Sequence, residues 1–255
     1  MHIVVDKVEF EYPGVKVLND VTFETDSNEL IAILGPNGVG KSTLIHCMNR
    51  ILTPTGGSVM VEDIPVSDYK LRNLAQLLGY VPYSSKDSFP MTVMDTVLIG
   101  RNPRSDWRVS DKDLEIVVGA LRMMGIEDLA MRVFNELSAG QRQKVMLARG
   151  LVQEPRALLL DEPTANLDIK HQYGVTKTLR SITRDKGMLV IMICHDLNIA
   201  AKYADRIILM SEGTVFAVGT PSEVITEDNI RKVYGVDCKI LDDNGSPHVM
   251  VIDEV

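Results

Sequence analysis

Hydrophobic and polar positions alternate along the first part of the chain, from Ile3 to Tyr12 and again from Val17 to Thr25. Period-two alternation predicts a half-exposed antiparallel pair of strands. The pattern then changes. Leu30–Leu34, Ala157–Leu160 and Met188–Cys194 are apolar throughout, as strands buried on both faces are. Between them lie stretches with helical spacing: Ser42–Ile51, Lys70–Leu77, Asp111–Met124, Gln141–Val152, Ile169–Asp185 and Asp196–Tyr203. Gly57–Glu62, Arg206–Met210 and Thr214–Val218 read as further strands, the last two joined at Ser211-Glu212-Gly213. Strands alternating with helices predict an α/β fold with a mainly parallel sheet covered on both faces. Gly79-Tyr80-Val81-Pro82 opens a different region. From about 84 to 150 the pattern is helical, with turn formers, two prolines and the lone Trp107 over 84–108, so it reads as an inserted helical sub-lobe. The expected organisation is a single domain over 1–255, with a core at 1–83 and 151–234, the sub-lobe at about 84–150 and a short tail at 235–255.

Composition narrows the class. The longest uncharged apolar runs are far shorter than the roughly twenty residues that a membrane-crossing helix needs. The start, Met1 to Asp6, lacks the basic beginning and apolar core of a secretion signal. Cys47, Cys194 and Cys238 share no metal-ligand spacing, and an odd count argues against a disulfide framework. These features predict a cytoplasmic chain. The net charge of −8 argues against nucleic acid as a partner, because proteins that grip phosphodiester backbones are usually basic.

The chemistry begins at residues 35–43, Gly-Pro-Asn-Gly-Val-Gly-Lys-Ser-Thr. This is a complete GxxxxGK[ST] phosphate-binding loop between a buried strand and a helix start, the context that it requires. Gly35, Gly38 and Gly40 let the backbone curl closely around an anion, and the helix start aims free N–H groups at it. Lys41 supplies charge for the β- and γ-phosphates, and Ser42 a hydroxyl for Mg²⁺. Pro36, Asn37, Val39 and Thr43 complete the loop, which predicts a nucleoside triphosphate site.

Three further groups bear on it. Asp161 and Glu162 end the apolar strand 157–160, where open α/β sheets place ligands. Asp161 is placed to hold Mg²⁺ beside Ser42. Glu162, one residue on, points elsewhere and can polarise a water for attack on the γ-phosphate. His195 follows the strand 188–194 and fits either a structural role or a hydrogen bond to the γ-phosphate. Ser138, Ala139, Gly140 and Gln141 precede a helix, making a second anion-binding surface. One nucleotide rarely needs two such surfaces from one chain, so the second is expected to face a nucleotide held by another copy.

Together these residues resemble the ATPase subunit of ABC transporters over nearly the whole chain: the loop at 35–43, the LSGGQ motif as LSAGQ at 137–141, and the acidic pair at 161–162. Ala165–Asp168 matches the D-loop, His195 the switch histidine, and Tyr12 the aromatic that stacks on adenine. The resemblance implies a P-loop NTPase core of the ABC ATPase type with an N-terminal antiparallel portion. It also implies a head-to-tail dimer around two ATP molecules, with Glu162 as base and Asp168 among the nucleotide-contacting residues. The implied partners are integral membrane permease subunits and, indirectly, an extracellular or periplasmic substrate-binding protein. The implied location is peripheral, on the cytoplasmic face of the membrane. Phe89–Val93 with Gly100–Pro103, and the tail from Tyr234 to Asp243, are similar to importers of iron–siderophore, haem or cobalamin complexes. Phe89 and Trp107 are candidate docking contacts.

Two departures stand out. Ala139 replaces a glycine, adding one methyl. Tyr83 stands where most relatives carry a metal-coordinating glutamine, and a neutral phenol is a poor Mg²⁺ ligand, so water is expected to take its place. Two other classes use the same phosphate loop. A soluble ABC-type ATPase acting on nucleic acid or ribosomes would usually carry a second ATPase domain or a basic extension. A small-molecule kinase would leave Ser138–Gln141 without a role.

Overall fold

The computed structural model describes residues 1–26, 28–83, 90–104 and 109–255. Phe89 and Trp107, with the rest of 84–89 and 105–108, lie outside the described residues. Strands β1 (Ile3–Tyr12) and β2 (Val15–Thr25) pair antiparallel. They are joined by β4 (Gly56–Val61) and the short β5 (Ile64–Pro65) in a sheet of order β2-β1-β4-β5. A second sheet takes β3 (Leu30–Leu34), β6 (Leu78–Val81), β7 (Ala157–Leu160), β8 (Leu189–Ile193), β9 (Arg206–Ser211) and β10 (Thr214–Gly219). Its order is β10-β9-β3-β8-β7-β6, parallel except for β10.

Why the central strands are apolar throughout is visible in their packing. Leu30, Ala32 and Leu34 of β3, with Leu158, Leu160, Val190 and Met192, face a layer of helices. That layer includes α4 (Asp111–Met124), α5 (Ala139–Leu151), α6 (Ile169–Lys186) and α7 (Leu197–Tyr203). Ile31 and Ile33, with Leu159, Leu189, Ile191 and Ile193, face the antiparallel sheet and α1 (Lys41–Met48). Each strand thus alternates between two cores, and both sets are hydrophobic because both faces are dry.

Helices α2 (Leu71–Leu77) and α3 (Val93–Leu98) complete the first part of the chain. Between β6 and β7 the described residues hold α3, α4, α5 and short 3₁₀ turns, with one isolated bridge between Thr92 and Val133. Arg101 ties this segment together. Its Nε donates to Asp113 Oδ1 at 2.8 Å, and its Nη1 to the Val152 carbonyl at 2.6 Å and to Glu154 at 2.8 Å. After β10 come α8 (Pro221–Val224), α9 (Glu227–Tyr234) and a hairpin of β11 (Val236–Asp243) and β12 (Ser246–Glu254). Asn198 of α7 covers the outer edge of β12: its amide accepts from the Val249 N–H at 2.7 Å and donates to the Val249 carbonyl at 3.2 Å. All three cysteines are free and buried.

The mainly parallel α/β architecture with an antiparallel portion matches the expectation. Several elements differ. Leu78–Val81 is an edge strand of the main sheet, although the sequence there reads only as the start of a new region. It follows α2 without a turn signal and is cut short at Pro82. Helix α5 begins at Ala139, two residues before the expected start, because Ser138 caps it. Helix α1 ends at Met48 rather than Ile51, and the tail is an ordered hairpin.

Candidate active site

The phosphate loop leaves β3 and enters α1 at the C-terminal end of the parallel strands. Gly35 has φ +145, and a Cβ built there would lie 2.4 Å from the Met210 carbonyl oxygen. Only glycine allows the loop to run this close to β9. The Lys41 ammonium is buried and donates to the Gly35 and Pro36 carbonyls, each at 2.7 Å. Burial pulls its pKa down, partly offset by the nearby carboxylates of Glu162 and Asp161.

A cleft of about 820 Å³ opens beside the loop, lined by Tyr12, Asn37, Gly38, Gly40 to Thr43, Asp161, Glu162 and His195. Val17, Tyr83, Ala165 and Asn166 complete its wall. Ser42 Oγ donates to Asp161 Oδ1 at 2.9 Å, joining the end of β7 to the start of α1. Burial raises the Asp161 pKa, and the Ser42 hydrogen bond only partly opposes it. A hydroxyl and a carboxylate oxygen converging in a buried place that disfavours negative charge make a hard donor pair suited to Mg²⁺. Among the described residues no group of three or more His, Cys, Asp or Glu side chains could hold a metal. The ion would therefore rest on Ser42 and Asp161, with its other positions filled by phosphate and water. Glu162 turns away from that pair, its Oε1 lying 2.7 Å from His195 Nε2.

Tyr12 ends β1 with its ring 43% exposed, held edge-to-face by Phe10 at 4.9 Å. Pro36 and Val39 lie on the outer side of the loop, in a separate depression with Ser211 and Gly213. Tyr83 Oη accepts a hydrogen bond from Asn166 Nδ2 at 2.9 Å.

The other predicted residues lie elsewhere. None of Ser138, Ala139, Gly140 or Gln141 lines the cleft. Ser138 Oγ accepts from the Gln141 N–H at 3.3 Å, and Gln141 Oε1 accepts from the Ser138 N–H at 3.0 Å, a reciprocal cap on α5. The N–H groups of Ala139 and Gly140 have no partner within the helix. Gly140 packs against His171, whose ring would meet an added Cβ at 2.9 Å. Asp168 caps α6 by accepting from the His171 N–H at 2.9 Å and also binds the ring Nδ1 at 2.8 Å. It is likewise absent from the cleft lining.

Sequence reasoning placed Asn166 only within the D-loop match, and it passed over Val17 as a cleft residue and the pair of His46 and Tyr80, whose Nε2 and Oη lie 2.9 Å apart. Burial pushes the Tyr80 phenol up to about 12. A polar pair on α1 and β6 inside otherwise apolar neighbourhoods was the available signal.

A buried loop lysine, a hydroxyl–carboxylate pair and a second carboxylate on a histidine define a nucleoside-triphosphate hydrolase of the P-loop class. The family model described as ABC transporter matches residues 18–165. The chain is 44% identical over 252 residues to an uncharacterized ABC transporter ATP-binding protein of Methanocaldococcus jannaschii, covering 99% of this chain and 98% of that one. It is 36% identical over 251 residues to the ferric enterobactin transport ATP-binding protein FepC of Escherichia coli, covering 96% and 92%. A solved structure titled as an inward-facing conformation of a putative metal-chelate type ABC transporter superposes with a TM-score of 0.86 at 26% identity, covering 98% of this chain and 96% of that one. The chain belongs to the ABC transporter family, as an ATP-binding ATPase subunit. Among the described residues no helix is long and apolar enough to cross a membrane.

Proposed function

We propose that this chain hydrolyses ATP as one half of a head-to-tail pair, and that the pair powers uptake of a metal-chelate compound through separate membrane permease subunits. One observation carries the pairing. The cleft gathers Lys41, Ser42, Asp161, Glu162 and His195, while the second anion-binding surface, at the start of α5, lies outside it. A second copy facing the first brings Ser138 and Gly140 over the nucleotide and uses both surfaces.

In this reading Lys41 exchanges the Gly35 and Pro36 carbonyls for the β- and γ-phosphates, and the Tyr12 ring stacks on adenine. Mg²⁺, held by Ser42 and Asp161, supplies charge neutralisation on the phosphates. Glu162 takes a proton from the attacking water, and His195 orients Glu162 and contacts the γ-phosphate. Asp168 holds the start of α6 at the junction between copies. The chain is peripheral, on the cytoplasmic face of the membrane, served by an extracellular or periplasmic binding protein, and it handles no nucleic acid. The names of FepC and of the metal-chelate type transporter support the cargo class.

The test is the Glu162→Gln variant, which should bind ATP, fail to hydrolyse it and accumulate as a dimer by light scattering. A variant that stays monomeric at saturating ATP refutes the pair. Cargo follows from deleting the gene and measuring uptake of ferric siderophore, haem and cobalamin. Unimpaired uptake of all three would remove the cargo class while leaving the ATPase assignment intact.

A further inference from the structure

Two chain segments leave neighbouring strands at the mouth of the cleft and are tied there by one hydrogen bond. Pro82 and Tyr83 follow β6, and Asp161 to Asn166 follow β7, its parallel neighbour. The bond from Asn166 Nδ2 to Tyr83 Oη, at 2.9 Å, bridges them. Between Glu162 and Asn166 the backbone makes a tight turn, with the Ala165 N–H donating to the Glu162 carbonyl at 3.2 Å. Both ends of that turn are left-handed, at φ 51 for Glu162 and φ 58 for Asn166. Asparagine tolerates this conformation; glutamate seldom adopts it. Such backbone persists only where its surroundings hold it. At one end Glu162 is held by His195 at 2.7 Å. At the other, Tyr83 holds Asn166.

We infer that Tyr83 is a positioning residue for hydrolysis: its phenol fixes Asn166 and, through the turn, the carboxylate of Glu162. The inference rests on the reading of Glu162 as the base. It also accounts for the loss of the usual glutamine. The Tyr83 hydroxyl is engaged by an amide donor, and a neutral phenol offers a hard cation little. Tyr83, Ala165 and Asn166 form the partition between the main cleft and a neighbouring groove of about 290 Å³ beside Phe134 and Arg142. The bond therefore stiffens the wall on which Glu162 is mounted.

Tyr83→Phe removes only the hydroxyl. Asn166→Gly removes the amide donor while leaving the left-handed backbone accessible. Each should lower kcat about three- to tenfold, the size expected for one neutral hydrogen bond. The KM for ATP and the Mg²⁺ concentration for half-maximal rate should stay unchanged. The double variant should fall no further than the weaker single one, because both changes break the same bond. A several-fold shift in Mg²⁺ half-saturation on Tyr83→Phe would show the phenol to be a metal ligand and overturn the inference. So would an unchanged kcat, or losses that multiply in the double variant. Glu162→Gln measured alongside separates the two readings. Surviving turnover in that variant overturns the base assignment and this inference with it. An inactive Glu162→Gln protein beside an unaffected Tyr83→Phe protein overturns this inference alone.

Discussion

Asp161 is 7% exposed and receives a hydrogen bond from Ser42, and burial raises its pKa above the ordinary 3.8. A carboxyl whose folded pKa exceeds its unfolded value costs stability once pH rises above that unfolded value, and the cost disappears below it. Asp161→Asn keeps an acceptor for Ser42 and removes the charge. It should raise the thermal midpoint at pH 7 by the equivalent of about 1 kcal/mol, with no gain near pH 3, while abolishing ATP turnover. Scanning calorimetry at the two pH values checks the sign. An unchanged or lower midpoint at pH 7 would mean that Lys41 depends on the Asp161 charge more than Asp161 suffers from burial. At this scale the sequence was highly legible. The loop glycines, Lys41, Ser42, Asp161 and Glu162 form a contiguous or strand-end signature whose chemistry requires those residue types. The contact of Asn166 with Tyr83 was not legible, because Tyr83 is far away in sequence and adjacent only through the pairing of β6 with β7.

The elements between β6 and β7 are fastened to one another by Arg101. Its guanidinium and the Asp113 carboxylate are both nearly dry, with side chains 7% exposed. Hydrogen bonds from Ser110, then from Arg101, hold the Asp113 carboxyl well below the usual carboxylate range. Arg101→Ala leaves Asp113 buried with Ser110 but without its cationic partner and should cost about 3 kcal/mol in urea unfolding at pH 7. A depressed carboxyl contributes stability above its unfolded pKa and loses it as pH falls through that value toward the folded one. The difference between variant and parent should therefore shrink below about pH 4. At the other end of the chain, Asn198 satisfies the Val249 N–H and carbonyl on the outer edge of β12. Asn198→Ala should speed hydrogen exchange along β12 at least tenfold with little change in the central strands, since losing both bonds frees that edge locally. Strong periodicity announced the long helices and the doubly buried strands. The edge strand β6 and the C-terminal hairpin escaped because four residues before a proline, or a mixed polar tail, carry too short a pattern to distinguish a strand from a loop.

Taken as a whole, the molecule places the starts of α1 and α5 apart, α1 inside the cleft and α5 outside it. If two copies close head-to-tail, each composite site draws Lys41 from one protomer and Ser138 from the other. Mixing an inactive Lys41→Ala protein with an inactive Ser138→Arg protein should then restore activity. Random pairing gives mixed dimers half the time, each with one intact site, so about a quarter of parental turnover is the expected ceiling. A mixture as inactive as its components would count against shared sites. The dry interior has one more consequence, for the thiols. Burial pushes the Cys47 thiol up to about 11 and the Cys194 thiol, next to His195, up to about 12, and it raises that of Cys238 as well. Since only the thiolate reacts, alkylating reagents should bypass the native protein. Mass-spectrometric counting of carbamidomethyl groups over time then clocks the opening of three different neighbourhoods, without any engineered label.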